Sequence, residues 1–132
     1  MNPVKLLFVD DDLDDRELLN SCLLECRINE FIILESGEKA LVYIGSLQEE
    51  QLPAVIVTDL NMPGMDGVEF INHLKSLERY QKIPVFLLTM SARNTRIDKA
   101  ICYGAAGFYQ KPASILEMRL LMQEIEQIAS RE

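Results

Sequence analysis

The chain alternates short apolar runs with longer stretches in which apolar residues recur every three or four positions. The runs are Val4 to Val9, Phe31 to Leu34, Ala54 to Thr58, Val85 to Thr89 and Gly107 to Gln110, each of strand length and bounded by polar or turn-forming residues. Between them fall sets at helical spacing: Leu18, Leu19, Cys22, Leu23 and Cys26; Ala40, Leu41 and Ile44; Phe70, Ile71, Leu74 and Leu77; Ile97, Ala100 and Ile101. A fifth amphipathic stretch, Ile115 to Ile128, follows the last run. Five successive β-then-α units without a linker predict a single α/β domain over residues 1–132, with no output domain.

Helix starts are marked where a side chain can accept bonds from unpaired first-turn amides. Asp66-Gly67-Val68-Glu69 and Ser114-Ile115-Leu116-Glu117 both read as capping boxes. The first, third and fourth runs are apolar almost throughout rather than alternating, as expected of central parallel strands covered on both faces. Right-handed crossovers then give a doubly wound, three-layer sandwich, whose ligands bind beyond the carboxyl ends of the strands.

Those strand ends are where the chemistry-bearing residues fall. Asp10, Asp11 and Asp12 close the first run, Asp59 the third, Thr89 the fourth, and Lys111-Pro112 follows the fifth. With strands in the order 2-1-3-4-5, Asp10, Asp11 and Asp59 converge where the winding reverses. Three carboxylates so close repel one another unless a cation intervenes. Oxygen-only ligation with room for water selects a hard ion, Mg²⁺ with Mn²⁺ as its substitute. Asp59 is then the nucleophile for an aspartyl phosphate, while Lys111 and Thr89 stabilise charge on the moving phosphoryl group.

Composition narrows the partners. A net charge of −8 with 13 Lys plus Arg disfavours nucleic acid, whose non-specific binding rests on a cationic surface. No window approaches the roughly 18 uninterrupted apolar residues of a membrane span, which leads us to expect a cytoplasmic protein that does not engage a membrane. Cys22, Cys26 and Cys102 are read as reduced core thiols, and His73, the single histidine, as an exposed bystander on its helix.

At this point the chain resembles, over essentially its full length, the receiver domains of bacterial two-component response regulators, of the single-domain, chemotaxis-regulator-like kind. The matching segments are Phe8-Val9-Asp10-Asp11-Asp12, Asp59 to Gly67, Pro84 to Thr89, and Gly104 to Pro112, in order and at the family's spacing. The resemblance implies a flavodoxin-like fold and a stand-alone regulator in a phosphorelay, which is a signalling module and not a general enzyme. It also implies that Asp59 takes a phosphoryl group from a phosphohistidine on a sensor histidine kinase or histidine phosphotransfer protein. Asp11 would bind Mg²⁺ directly, Asp10 mostly through water, and Asn61 would add its backbone carbonyl. The Lys111-Pro112 peptide would be cis, aiming the lysine into the site. Thr89 and Phe108 would form the switch, with Phe108 otherwise a core residue. A downstream protein would be met on the face of the fourth helix, fifth strand and fifth helix, by a monomer or weak homodimer. Met90 departs from the family, which carries a small residue after the threonine, and is expected with Ser91 to border the access path to Asp59.

Competing explanations are weaker. Helix capping and dipole complementarity account for Asp12, Asp14 and Asp15 but not for the coincidence of Asp10, Asp11, Asp59, Thr89 and Lys111. A scaffolding pseudo-receiver would not need all five. A haloacid-dehalogenase-type phosphatase needs Asp-x-Asp-x-Thr after the first strand, and here Asp14 stands where the threonine belongs. Gly-rich loops for a dinucleotide or a nucleotide triphosphate are missing from the sequence.

Overall fold

The computed structural model describes residues 4–90 and 95–131. Five parallel strands, β1 (Leu6–Val9), β2 (Phe31–Leu34), β3 (Val55–Asp59), β4 (Val85–Thr89) and β5 (Gly107–Gln110), form one sheet in the order β2-β1-β3-β4-β5. The helices are α1 (Leu13–Glu25), α2 (Gly37–Gly45), α3 (Gly67–Lys75), α4 (Thr95–Cys102) and α5 (Ile115–Ser130). The three strands expected to be central are the three interior ones. Their side chains alternate between two cores, as the pleat requires. Leu7, Val9, Ile56, Val85 and Leu87 pack under α2, α3 and α4 with Ala40, Ile44, Phe70, Ile71, Leu74, Ile97 and Ala100. Leu6, Phe8, Val55, Val57 and Leu88 pack on the opposite face under α1 and α5 with Leu19, Cys22, Leu23, Met118, Met122 and Ile125.

Both N-caps form, with the reciprocal capping box complete at Asp66 and Glu69 and only its first half present at Ser114. Asp66 and Glu69 exchange side-chain-to-amide bonds of 2.9 and 3.2 Å, and the Ser114 hydroxyl accepts the Glu117 amide at 3.1 Å. Asp12 caps α1, accepting from the amides of Asp14 (2.8 Å) and Asp15 (3.2 Å).

Several expectations are corrected. Leu77 is not part of the third helix: α3 stops at Lys75, and Leu77, 42% exposed, precedes a single 3₁₀ turn at Glu78–Tyr80. The Lys75 ammonium holds that connection by donating to the carbonyls of Tyr80, Gln81 and Ile83. Of the cysteines, Cys22 alone is fully buried; Cys26 is half-buried and Cys102, ending α4, is exposed, and all three are free thiols. Phe108 is not core. β5 is an edge strand on which Tyr109 packs against the α1 and α5 core while Phe108, paired with Leu87 and so on the other face, stays 39% exposed. The Lys111-Pro112 peptide is trans; Lys111 is set instead by its amide, which donates to the Thr89 carbonyl at 2.7 Å.

Candidate functional site

The register of the sheet explains why the predicted residues meet. β1 pairs with β3 as Val9 opposite Thr58, so the first residues past each pair, Asp10 and Asp59, emerge side by side. β4 ends beside β3 with Leu88 opposite Asp59, which leaves Thr89 one residue farther along the same edge. β5 continues the row with Gln110 opposite Thr89, and Lys111 follows it. Asp10, Asp59 and Thr89 are almost completely buried, at 3%, 9% and 1% exposure.

One oxygen from each of Asp10, Asp11 and Asp59 lies within 4.8 Å of the others. Burial raises the Asp10 carboxyl to about 6, although the Asp12 amide and the Lys111 ammonium oppose that rise and the Asp59 and Asp15 charges add to it. Asp59 is raised chiefly by burial too, against lowering by Lys111 and by the amides of Leu60 and Asn61; the Leu60 amide donates to its Oδ1 at 2.7 Å. Asp10 and Asp59, both raised by burial, lie at ligand spacing with Asp11, and a trio of oxygen donors so placed fits a hard divalent cation.

Lys111 is the cationic counterpart. Its Nζ donates to Asp15 Oδ2 at 2.8 Å and to Asp10 Oδ2 and Asp59 Oδ2 at 3.3 Å each. Burial alone would lower its pKa, but the bond to Asp15 and the charges of Asp10, Asp59 and Asp15 outweigh burial and raise it above the ordinary lysine value. The ammonium is therefore charged in the site. Asp15, assigned from sequence only to the helix dipole, is thus part of this cluster.

Two arginines missed by sequence reasoning buttress the site. Arg16 donates from Nη1 to the Asp10 carbonyl at 3.0 Å. Arg96, in the first turn of α4, reaches Asn61 Oδ1 and Asp66 Oδ2, both at 2.6 Å, and the Leu60 carbonyl at 3.4 Å. Neither carries a local sequence signal, because each contact joins elements distant in the chain or depends on the rotation of a helix start. Below the loop, Gly67 donates its amide to the Leu60 carbonyl at 2.9 Å.

Met90 is 72% exposed, and its carbonyl accepts from Gln110 Nε2 at 3.4 Å. Ser91 lies outside the described residues. His73 is exposed on α3. No helix among the described residues is long and apolar enough to cross a membrane.

Residues 6–123 match the family model described as response regulator receiver domain. Among curated relatives, the Arabidopsis thaliana two-component response regulator ARR17 is 32% identical over 126 residues, covering 88% of this chain and 80% of that protein. Among solved structures, the phosphorylated cyanobacterial phytochrome response regulator RcpA aligns with a TM-score of 0.81 at 25% identity, over 95% of this chain and 92% of that one. The Mn²⁺-bound form of response regulator Rcp1 aligns with a TM-score of 0.77 at 27% identity, over 95% and 93%. The chemotaxis response regulator CheY4 of Vibrio cholerae aligns with a TM-score of 0.77 at 25% identity, over 96% and 98%.

Proposed function

The chain belongs to the response regulator receiver domain family, and from that premise we propose that Asp59 is its phosphoacceptor in a metal-dependent transfer from a phosphohistidine. The observation that carries this reading is the meeting of the Asp59 carboxylate with the Asp10 and Asp11 carboxylates and the Lys111 ammonium at one sheet edge. An Asp59 oxygen attacks phosphorus, the phosphorus–nitrogen bond breaks, and the imidazole leaves on the donor protein. Asp10, Asp11, Asp59 and the Asn61 backbone carbonyl would hold Mg²⁺ or Mn²⁺, which would offset phosphoryl charge. That a solved relative is described as Mn²⁺-bound supports the choice of ion.

Lys111 brings an ammonium to the same place, and the Thr89 hydroxyl, buried at the end of β4, is suited to donate to a phosphoryl oxygen. In this reading Thr89 and Phe108 form the switch. Phe108 with its ring exposed at the sheet edge would be the unphosphorylated arrangement, and burial of its ring would accompany movement of Thr89 toward the phosphoryl group. The donor is a sensor histidine kinase or a histidine phosphotransfer protein. The signal leaves through the α4, β5 and α5 face, where Ile101, Phe108, Leu116 and Leu120 are all exposed, toward a partner protein. Because curated relatives include plant proteins, the similarity does not restrict the system to bacteria.

Intact mass spectrometry after treatment with a small phosphodonor and Mg²⁺ tests the assignment. One acid- and base-labile acyl phosphate is expected in the parent and none in Asp59→Asn. Equal labelling of the variant would place the acceptor elsewhere.

A further inference from the structure

A lysine ammonium has three N–H donors and no acceptor, and Lys111 meets three carboxylates: Asp15 at 2.8 Å, Asp10 at 3.3 Å and Asp59 at 3.3 Å. The three are not equivalent. Asp10 and Asp59 belong to the trio whose oxygens lie within 4.8 Å of one another, so their oxygens are claimed by the proposed cation, and Asp59 is also the proposed site of the new phosphoryl bond. Asp15 is outside that trio. It projects from the first turn of α1, where its backbone amide is already fixed by the Asp12 side chain at 3.2 Å, and it makes the shortest of the three contacts.

We infer that Asp15 is a positioning residue: it anchors the Lys111 ammonium from the helix side, so that the lysine keeps its place when Asp10 and Asp59 turn to other partners. A four-carbon lysine stem is flexible and loses considerable rotamer freedom when its head is fixed. An ammonium held only by Asp10 and Asp59 would be released as those oxygens are taken, at the moment the transferring group needs a placed positive charge. With Asp15 as a fixed third partner, one N–H can pass from Asp59 Oδ2 to a phosphoryl oxygen while the nitrogen stays where it is. The role rests on the phosphoacceptor reading above for its purpose, but the contact itself stands apart from it.

The test is Asp15→Asn beside Asp14→Asn. The second removes the same charge from the same helical turn without touching Lys111 and so controls for the general field. Neither change disturbs the α1 cap, which uses the amides of residues 14 and 15 and not their side chains. Two readouts are taken. The first is the side-chain ammonium signal of Lys111 in ¹⁵N-labelled protein at low temperature, assigned with Lys111→Arg, in the absence of phosphodonor. The second is the rate of Asp59 phosphorylation by a small phosphodonor at saturating Mg²⁺, with kcat and KM separated. In Asp15→Asn the ammonium protons are expected to exchange about ten times faster and kcat to fall about three- to tenfold with KM little changed; Asp14→Asn should resemble the parent in both. An Asp15→Asn protein whose ammonium signal and kcat match those of Asp14→Asn would overturn the inference. Absence of phosphorylation in the parent would instead sink the phosphoacceptor reading, and the ammonium signal would still judge the Asp15 contact.

Discussion

Gly67 is the point at which the scaffold and the site press hardest on each other, and Gly67→Ala measures that pressure. A Cβ built there would lie 2.3 Å from the Asp59 carbonyl oxygen and 2.9 Å from the Leu60 Cα, whereas ordinary contacts begin at 3.4 Å. Relief requires a shift of about 1 Å, and the obstacles are backbone atoms of β3 and its exit, which cannot rotate away as a side chain could. Overpacking of this kind costs about 1–3 kcal/mol. Alanine recovers at most about 1 kcal/mol of helix propensity, and less at the first helical position than in an interior. The expected balance is a loss of about 1–2 kcal/mol, seen in urea denaturation as a lower midpoint at unchanged slope. The displaced atoms belong to Asp59 and its neighbour, so phosphorylation at saturating Mg²⁺ should slow by about tenfold or more even where the variant is fully folded, since small misplacements of a nucleophile are costly. A Gly67→Ala protein as stable as the parent, with unchanged phosphorylation, would show that α3 does not bear on Asp59, the proposed phosphoacceptor.

Two further outcomes are expected. In metal-free protein the Asp10 carboxyl, raised by burial to about 6 from 3.8, is among Asp11, Asp15, Asp59 and Lys111; a raised folded value favours the protonated form, so the stability it contributes is complete below about pH 4 and lost as pH rises through 6. Asp10→Asn should therefore be more stable than the parent by about 1–3 kcal/mol at pH 7 without metal, should match it near pH 4, and should gain less from Mg²⁺; a less stable variant at pH 7 would refute this. Met90→Ala should leave folding stability within about 0.5 kcal/mol, because the side chain is 72% exposed, while shortening the aspartyl-phosphate lifetime about threefold if its side chain screens attacking water; an unchanged lifetime in a pulse-chase of labelled protein would remove Met90 from that role.

How much of this was legible before the structure depends on the range of the interaction that decides each feature. Strand and helix positions follow from local periodicity, and β2, β4 and β5 begin and end where the pattern places them. Convergence of Asp10, Asp59, Thr89 and Lys111 follows as well, because a parallel sheet brings every strand's carboxyl end to one edge and the order then fixes the neighbours. Phe108 was misjudged for a physical reason. The register beside β4 puts Phe108 opposite the buried Leu87 and on the same face of the sheet, but β5 is the edge strand, so a residue whose pattern reads as core keeps a ring that is 39% exposed. Asp15 was misread because a helix-start aspartate satisfies a local rule completely, which hides a contact to a lysine 96 positions later. Lys75 gave no signal at all: a charged residue ending an amphipathic helix reads as solvated, yet its ammonium closes a loop on three carbonyls and its pKa is lowered by burial.

The distribution of charge over the elements has a consequence for how a change at Asp59 would spread. Asp10 and Asp59 are carried by interior strands whose neighbours are hydrogen-bonded on both sides, so the carboxylates cannot relieve their mutual repulsion by moving apart, and Lys111 must come to them. The exit from β3 is different, because it is tied to α4 by a side chain: Arg96 donates to Asn61 Oδ1 and Asp66 Oδ2 at 2.6 Å each. On the proposal that the Asn61 carbonyl joins the cation, a small shift of that loop alters the same residue that Arg96 grips, and α4 is one side of the face proposed for the partner. Charged, multiply bonded contacts of this kind have discrete arrangements rather than a continuum. On that proposal, Arg96 would link the metal end of the site to α4 without passing through Thr89 and Phe108.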